Sequence, residues 1–159
     1  EQMAIAAREI ERHGQPLALV LFDLDHFKQI NDTRGHAAGD RVLQRFGEVA
    51  QGEIRAGDVL ARWGGEEFLL LLPRTGLEEA WRCAERIRTR LVALRLEGGQ
   101  PGQPLTFSAG VSSCRRMDQL DAAIEAADRA MYLAKATGRN RTELVAGPGL
   151  AELRQDAAA

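Results

Sequence analysis

Arg62-Trp63-Gly64-Gly65-Glu66-Glu67-Phe68 is the stretch from which the chain is best read. A short run, Val59-Leu60-Ala61, precedes it, and an apolar run, Leu69-Leu70-Leu71-Leu72, follows it. Two strand-like runs joined by Gly-Gly predict a β-hairpin. Tight hairpin turns need positive φ, which glycine adopts without steric cost. The adjacent carboxylates at the turn are unexpected there. Acidic residues are depleted from strands, and neighbouring like charges repel. Something positive should offset them, and hard divalent cations prefer oxygen ligands.

Upstream, Leu17 to Phe22 is a continuous apolar run bounded by Pro16 and by charge. It reads as a strand buried on both faces, and it ends in Asp23-Leu24-Asp25. Alternation sets Asp23 and Asp25 on one side and Leu24 on the other. A carboxylate at the end of a buried strand suits a ligand or metal site, although Asp25 could equally cap the following turn. If this strand end lies beside the hairpin turn, Asp23, Glu66 and Glu67 converge. Such a cluster could hold two Mg²⁺ or Mn²⁺ for phosphoryl transfer. One difficulty stands: in a regular strand Glu66 and Glu67 point to opposite faces.

The block Phe22-Asp23-Leu24-Asp25-His26-Phe27-Lys28, Asn31-Asp32, Gly35-His36 and Gly39-Asp40 resembles the first block of the GGDEF family, the diguanylate cyclases. Gly64 to Phe68 resembles that family's signature in its Glu variant. Lys135-Ala136-Thr137-Gly138-Arg139-Asn140 resembles its late block. The resemblance covers about residues 3–145. It implies an α+β fold, with a ferredoxin-like, palm-type nucleotidyl cyclase core. The sheet would be mixed and largely antiparallel, of about five strands, surrounded by helices.

The resemblance also implies roles. Asp23, the Leu24 carbonyl, Glu66 and Glu67 match metal positions, with two Mg²⁺ or Mn²⁺ per site. Glu66 and Glu67 are the catalytic carboxylates, and Glu66 matches a proposed general base. Ligation would favour its ionised form, which weakens the base role. Asn31 and Asp40 match a guanine-reading pair; a carboxylate accepts guanine N1–H and N2–H₂ together, whereas adenine would leave it unpaired. His36 lies near that pair, with a structural role as its alternative. Lys28, Lys135 and Arg139 match triphosphate contacts, and Gly64 and Gly65 allow close approach of nucleotide to backbone. Arg55-Ala56-Gly57-Asp58, with Arg86, matches a product-inhibition site; elsewhere an Arg-x-x-Asp is commonly a surface ion pair.

The implied function is condensation of two GTP into cyclic di-GMP with loss of two pyrophosphates, in a two-fold homodimer, inhibited by its product. A catalytically silent cyclic di-GMP receptor, a cyclase for adenine-containing dinucleotides, and a polymerase palm are the alternatives. The intact carboxylates oppose the first, Asp40 the second, and short length the third.

The rest of the chain predicts a helix over 3–12, helices over 26–32, 37–50, 77–96 and 118–135, and strands over 105–113 and 142–145. The arginines of the 77–96 helix read mostly as a solvated face. The 98–104 stretch reads as a loop. Residues 1–146 read as one domain and 147–159 as a loose tail. The 159 residues suit one core, and 45% apolar with 28% charged residues is an ordinary globular mix. A net charge of −2 gives no field that would gather nucleic acid or an anionic membrane. No apolar run spans a bilayer and no signal pattern opens the chain, so a bacterial cytoplasmic setting is expected. Cys83 and Cys114 have no metal or redox spacing and read as reduced, partly buried thiols. The uncapped start of the first helix suggests a piece of a larger signalling protein, with a sensor or regulatory domain upstream.

Overall fold

A computed structural model describes residues 14–94 and 104–146, together with residues 4, 8 and 10–12. The expected 98–104 loop lies almost entirely outside these residues, as do the 147–159 tail and much of the first helix. Ala4, Arg8 and residues 10–12 are helical. Gly14, at φ 58°, ends that turn by donating its N–H to the Ile10 carbonyl at 3.0 Å.

The elements that follow are β1 (Leu17–Leu24), α1 (Phe27–Arg34), α2 (His36–Glu53), β2 (Val59–Arg62) and β3 (Glu67–Pro73). Then come α3 (Leu77–Ala93), β4 (Phe107–Cys114), a 3₁₀ turn (Met117–Gln119), α4 (Leu120–Ala136) and β5 (Arg141–Leu144). The five strands form one sheet in the order β2-β3-β1-β4-β5. β1 pairs antiparallel with β3 and β4, and β2 pairs antiparallel with β3. Only β4 and β5 run parallel. The expected α+β architecture, a mixed and largely antiparallel sheet with helices packed against it, is what the chain forms.

Every residue of β1 is buried, because both sheet faces are covered. Ala18, Val20, Phe22 and Leu24 face one core with Phe107, Ala109 and Val111, beneath Phe46 of α2 and Ile87 of α3. Phe22 meets Phe46 and Phe107 edge-on, with ring centroids 5.3 and 5.0 Å apart. Leu17, Leu19 and Leu21 face the second core with Ile10, Leu69 and Leu71, beneath Ala127 and Met131 of α4. Alternation thus sorts one strand into two cores.

α4 lies directly against β4. A Cβ on Gly110 would come within 1.9 Å of the Ala127 carbonyl oxygen, so only glycine allows this approach. Both cysteines are free and buried, and burial pushes the Cys114 thiol up to about 11.

The expected hairpin forms, but its turn is not the tight one expected. Arg62 pairs with Phe68, and residues 63–66 form a wider loop between β2 and β3. The loop closes through Trp63 N–H and Gly64 N–H, both donating to the Glu67 carbonyl, at 2.8 and 3.2 Å. Among the described residues the left-handed glycines are Gly14, Gly35 and Gly138; Gly64 and Gly65 are not among them. A longer loop turns the chain without positive φ. A Cβ on Gly64 would sit 2.7 Å from Glu67 Oε2, the mobile end of a side chain that would have to shift aside. Arg62 spans the loop, donating to the Gly64 and Gly65 carbonyls at 3.2 and 2.6 Å.

Candidate active site

Asp23 lies opposite Glu67 in the β1–β3 register, so the end of the first strand does meet the acidic loop. Leu24 N–H donates to the Glu66 carbonyl at 3.2 Å and ties Glu66 to the same strand end. Glu66 precedes β3 and is not bound by its alternation. That removes the difficulty of two carboxylates on opposite faces. Both feel the same main neighbours: burial, then the Asp23 charge, push their pKa values up, and the Lys135 charge pulls them down.

Asp23 is 6% exposed. Lys135 Nζ, at the end of α4, donates to its Oδ2 at 2.6 Å. Burial still wins, and the Asp23 carboxyl lies above its ordinary value despite Lys135 and the Arg139 charge. Three carboxylates therefore face two cations. Among the described residues no three His, Cys, Asp or Glu side chains already form a metal cage. The donors are nevertheless all hard oxygens with surplus negative charge, which suits Mg²⁺ or Mn²⁺.

Asp25 differs from both expectations for it. It neither caps the next turn nor joins the cluster as a donor. Its carboxylate accepts from Thr106 Oγ1 and Ser108 Oγ at 2.7 Å each, and from Asn140 N–H at 3.0 Å.

Asn31, Asp40 and His36 gather at the α1–α2 corner, which turns at Gly35, φ 83°. Asn31 Oδ1 is buried without a hydrogen-bond partner. It packs where a Cβ on Gly39 would lie 1.9 Å away. Asp40 and His36 are exposed, as is Lys28 on α1. An orphaned acceptor costs about 1–3 kcal/mol, which a ligand N–H would recover.

Arg55, Asp58 and Arg86 come together separately, in a groove of about 200 Å³ that Glu53, Thr75, Glu79 and Arg82 also line. The Arg55–Asp58 link is a closed turn, not a side-chain ion pair: Arg55 N–H donates to Asp58 Oδ2 at 2.8 Å. Arg86 rests on Glu53 at 3.4 Å.

Sequence reasoning missed Arg88. Arg82, Arg86 and Arg90 are exposed as expected, but the Arg88 side chain is 12% exposed and crosses to β4 and β5. Its position beside Ile87, on the α3 face that turns toward the sheet, was the available signal.

The sheet order and the strand-end carboxylates define a palm-like nucleotidyl cyclase fold. The family described as "Diguanylate cyclase, GGDEF domain" matches residues 1–141, and the chain belongs to that family. It is 42% identical over 135 residues to the diguanylate cyclase DgcP of Pseudomonas aeruginosa, covering 84% of this chain and 20% of that protein. It superposes on the active GGEEF domain of a Vibrio cholerae diguanylate cyclase with a TM-score of 0.80 and 36% identity, covering 87% of this chain and 88% of the other. The GGDEF domain of DgcB from Caulobacter crescentus, solved in complex with c-di-GMP, gives 0.79 and 32%, covering 87% and 83%. The chain spans about a fifth of DgcP and 31% of DosC from Escherichia coli, so it matches one part of each. No helix among the described residues is long and apolar enough to cross a membrane.

Proposed function

We propose that this chain is a diguanylate cyclase that condenses two GTP into cyclic di-GMP and two pyrophosphates. The observation that carries the reading is the meeting of Asp23, Glu66 and Glu67 with Lys135 and Arg139 at one strand end. Each step joins the ribose 3′-oxygen of one GTP to the α-phosphorus of the other. The bond from that phosphorus to pyrophosphate breaks, and the 3′-hydroxyl proton leaves. Glu66 would take that proton; its pKa, raised by burial and the Asp23 charge, makes it a better proton acceptor than an ordinary carboxylate.

Asp23, the Leu24 carbonyl, Glu66 and Glu67 would hold Mg²⁺ or Mn²⁺, two per site. Bound there, the ions would lower the hydroxyl's pKa and neutralise triphosphate charge. Lys135 and Arg139, with Lys28, would clamp the phosphates. Asn31 Oδ1 and Asp40 would accept from guanine, with His36 beside them, and Gly64 and Gly65 leave room along the loop. Each domain offers one nucleotide, so two copies must face each other. The Arg55–Asp58–Arg86 groove would bind product and inhibit, a coupling between two sites. GTP as substrate would suit a bacterial cytoplasmic setting, with a sensor or regulatory domain as the expected source of control.

The test incubates the chain with GTP and Mg²⁺ at high protein concentration, beside Glu67→Gln, and separates the nucleotides by chromatography. Cyclic di-GMP from the wild type alone supports the cyclase, and its rate per protein should climb with concentration. A rate unchanged by dilution overturns the two-copy mechanism. No product, with cyclic di-GMP binding lost in Arg55→Ala, favours a silent receptor instead.

A further inference from the structure

Past the end of α4 the chain turns through Arg139 and Asn140, which both hold left-handed backbone, φ 61° and 45°. Residues with side chains disfavour that conformation, and it persists only where surroundings enforce it. Here two oppositely charged groups, Asp25 buried and Arg88 partly buried, hold it from opposite sides. Asp25 Oδ2 accepts from the Asn140 N–H at 3.0 Å. Arg88 Nη1 donates to Asn140 Oδ1 at 2.8 Å.

Each group is itself pinned. Asp25 is 5% exposed and bonded to Thr106 and Ser108, so it cannot swing away from the turn. Arg88 donates to the Phe107 carbonyl and to Thr142 Oγ1, at 2.8 Å each, and to Glu85 Oε1 at 3.1 Å. Its guanidinium lies 4.1 Å from the Phe107 ring centroid. The planar fork reaches β4, β5 and the turn together, which a lysine could not do. Arg139 is the residue just before the gripped one. Its N–H donates to the Ala134 carbonyl at 2.9 Å, and its charge reaches Asp23.

We propose that Asp25 and Arg88 are positioning residues: by gripping Asn140 from both sides they hold Arg139 at the mouth of the carboxylate site, set for the β- and γ-phosphates of a nucleotide. Neither residue touches the phosphates. The inference rests on the cyclase reading for the identity of the anion, but not for the brace itself.

The test uses Asp25→Asn and the milder Arg88→Lys, with cyclic di-GMP binding as the check that each variant is folded. Amide exchange at Arg139 in nucleotide-free protein should quicken about tenfold in both. Affinity for a non-reacting GTP analogue should fall about tenfold, the scale of one charge-assisted hydrogen bond, while affinity for GMP changes less than twofold. In an Arg139→Gln background, Arg88→Lys should cost no further GTP affinity, because the effect runs through Arg139. Equal weakening of GTP and GMP, a full further loss in that background, or unchanged exchange at Arg139 overturns the proposal. If the wild type does not prefer the GTP analogue to GMP, the cyclase reading falls, and exchange at Arg139 alone then decides for or against the brace.

Discussion

Asp23 and Asp25 lie two residues apart at the end of one strand and are buried alike, at 6% and 5% exposure. Their surroundings divide them. Asp25 accepts three hydrogen bonds from neutral donors on β4, the residues before it and the turn after α4. Asp23 has one lysine, two neighbouring glutamates and a pKa pushed up by burial. A buried carboxylate with all its partners ties elements together. One left short of positive charge makes a place for a cation to enter.

Exchanging the two roles should therefore give opposite failures. The largest effect belongs to Asp23→Asn or Glu67→Gln, each expected to lower cyclic di-GMP formation on the order of 10³-fold while the domain stays folded. Retained turnover with a lost fold would reverse the assignment. Asp25→Ala should instead cost roughly 3 kcal/mol in urea unfolding, because buried donors lose their acceptor.

A pH series sharpens the same contrast. Asp23, Glu66 and Glu67 all lie above their ordinary values. Between those values and the raised ones, the folded chain holds more protons than the unfolded chain. Ionisation of this cluster therefore lowers stability as pH rises through that window. Metal-free protein should melt higher near pH 5 than near pH 7, and added Mg²⁺ should flatten the slope. Glu67→Gln should flatten it in part, whereas a slope that Mg²⁺ and Glu67→Gln both leave intact would place its origin elsewhere. The smallest effect is expected from Arg62→Ala, which removes two loop hydrogen bonds at an exposed site and should cost about 1 kcal/mol or less.

Much of this contrast was legible before any coordinates. The apolar run ending in Asp23 predicted a doubly buried strand, and the acidic pair after Gly65 predicted its neighbour. The helix faces were legible too: Val42, Leu43, Phe46 and Ala50 enter one core, and Leu120, Ala127 and Met131 the other, as their spacing predicts. What could not be read was partnership across long separations. Nothing local joins Lys135 to Asp23, 112 residues apart, or Arg88 to Asn140, 52 apart. The four arginines of α3 look alike by composition, and only the sheet distinguishes Arg88. The Gly64-Gly65 turn was misjudged for a different reason. A four-residue loop turns the chain without left-handed backbone at either glycine, so the positive φ expected of them is not used.

Gly110 has a mechanical consequence. With no side chain between them, the α4 backbone seats on β4 as a key sits in its slot. Sliding or rolling that helix would drive Ala127 or Met131 into the strand. The cluster at its end can then adjust only by swinging side chains, with Lys135 leaving Asp23 for another anion. The interior behaves as one half of a rigid mould, and under the two-copy reaction proposed above, control would pass to whatever brings the halves together.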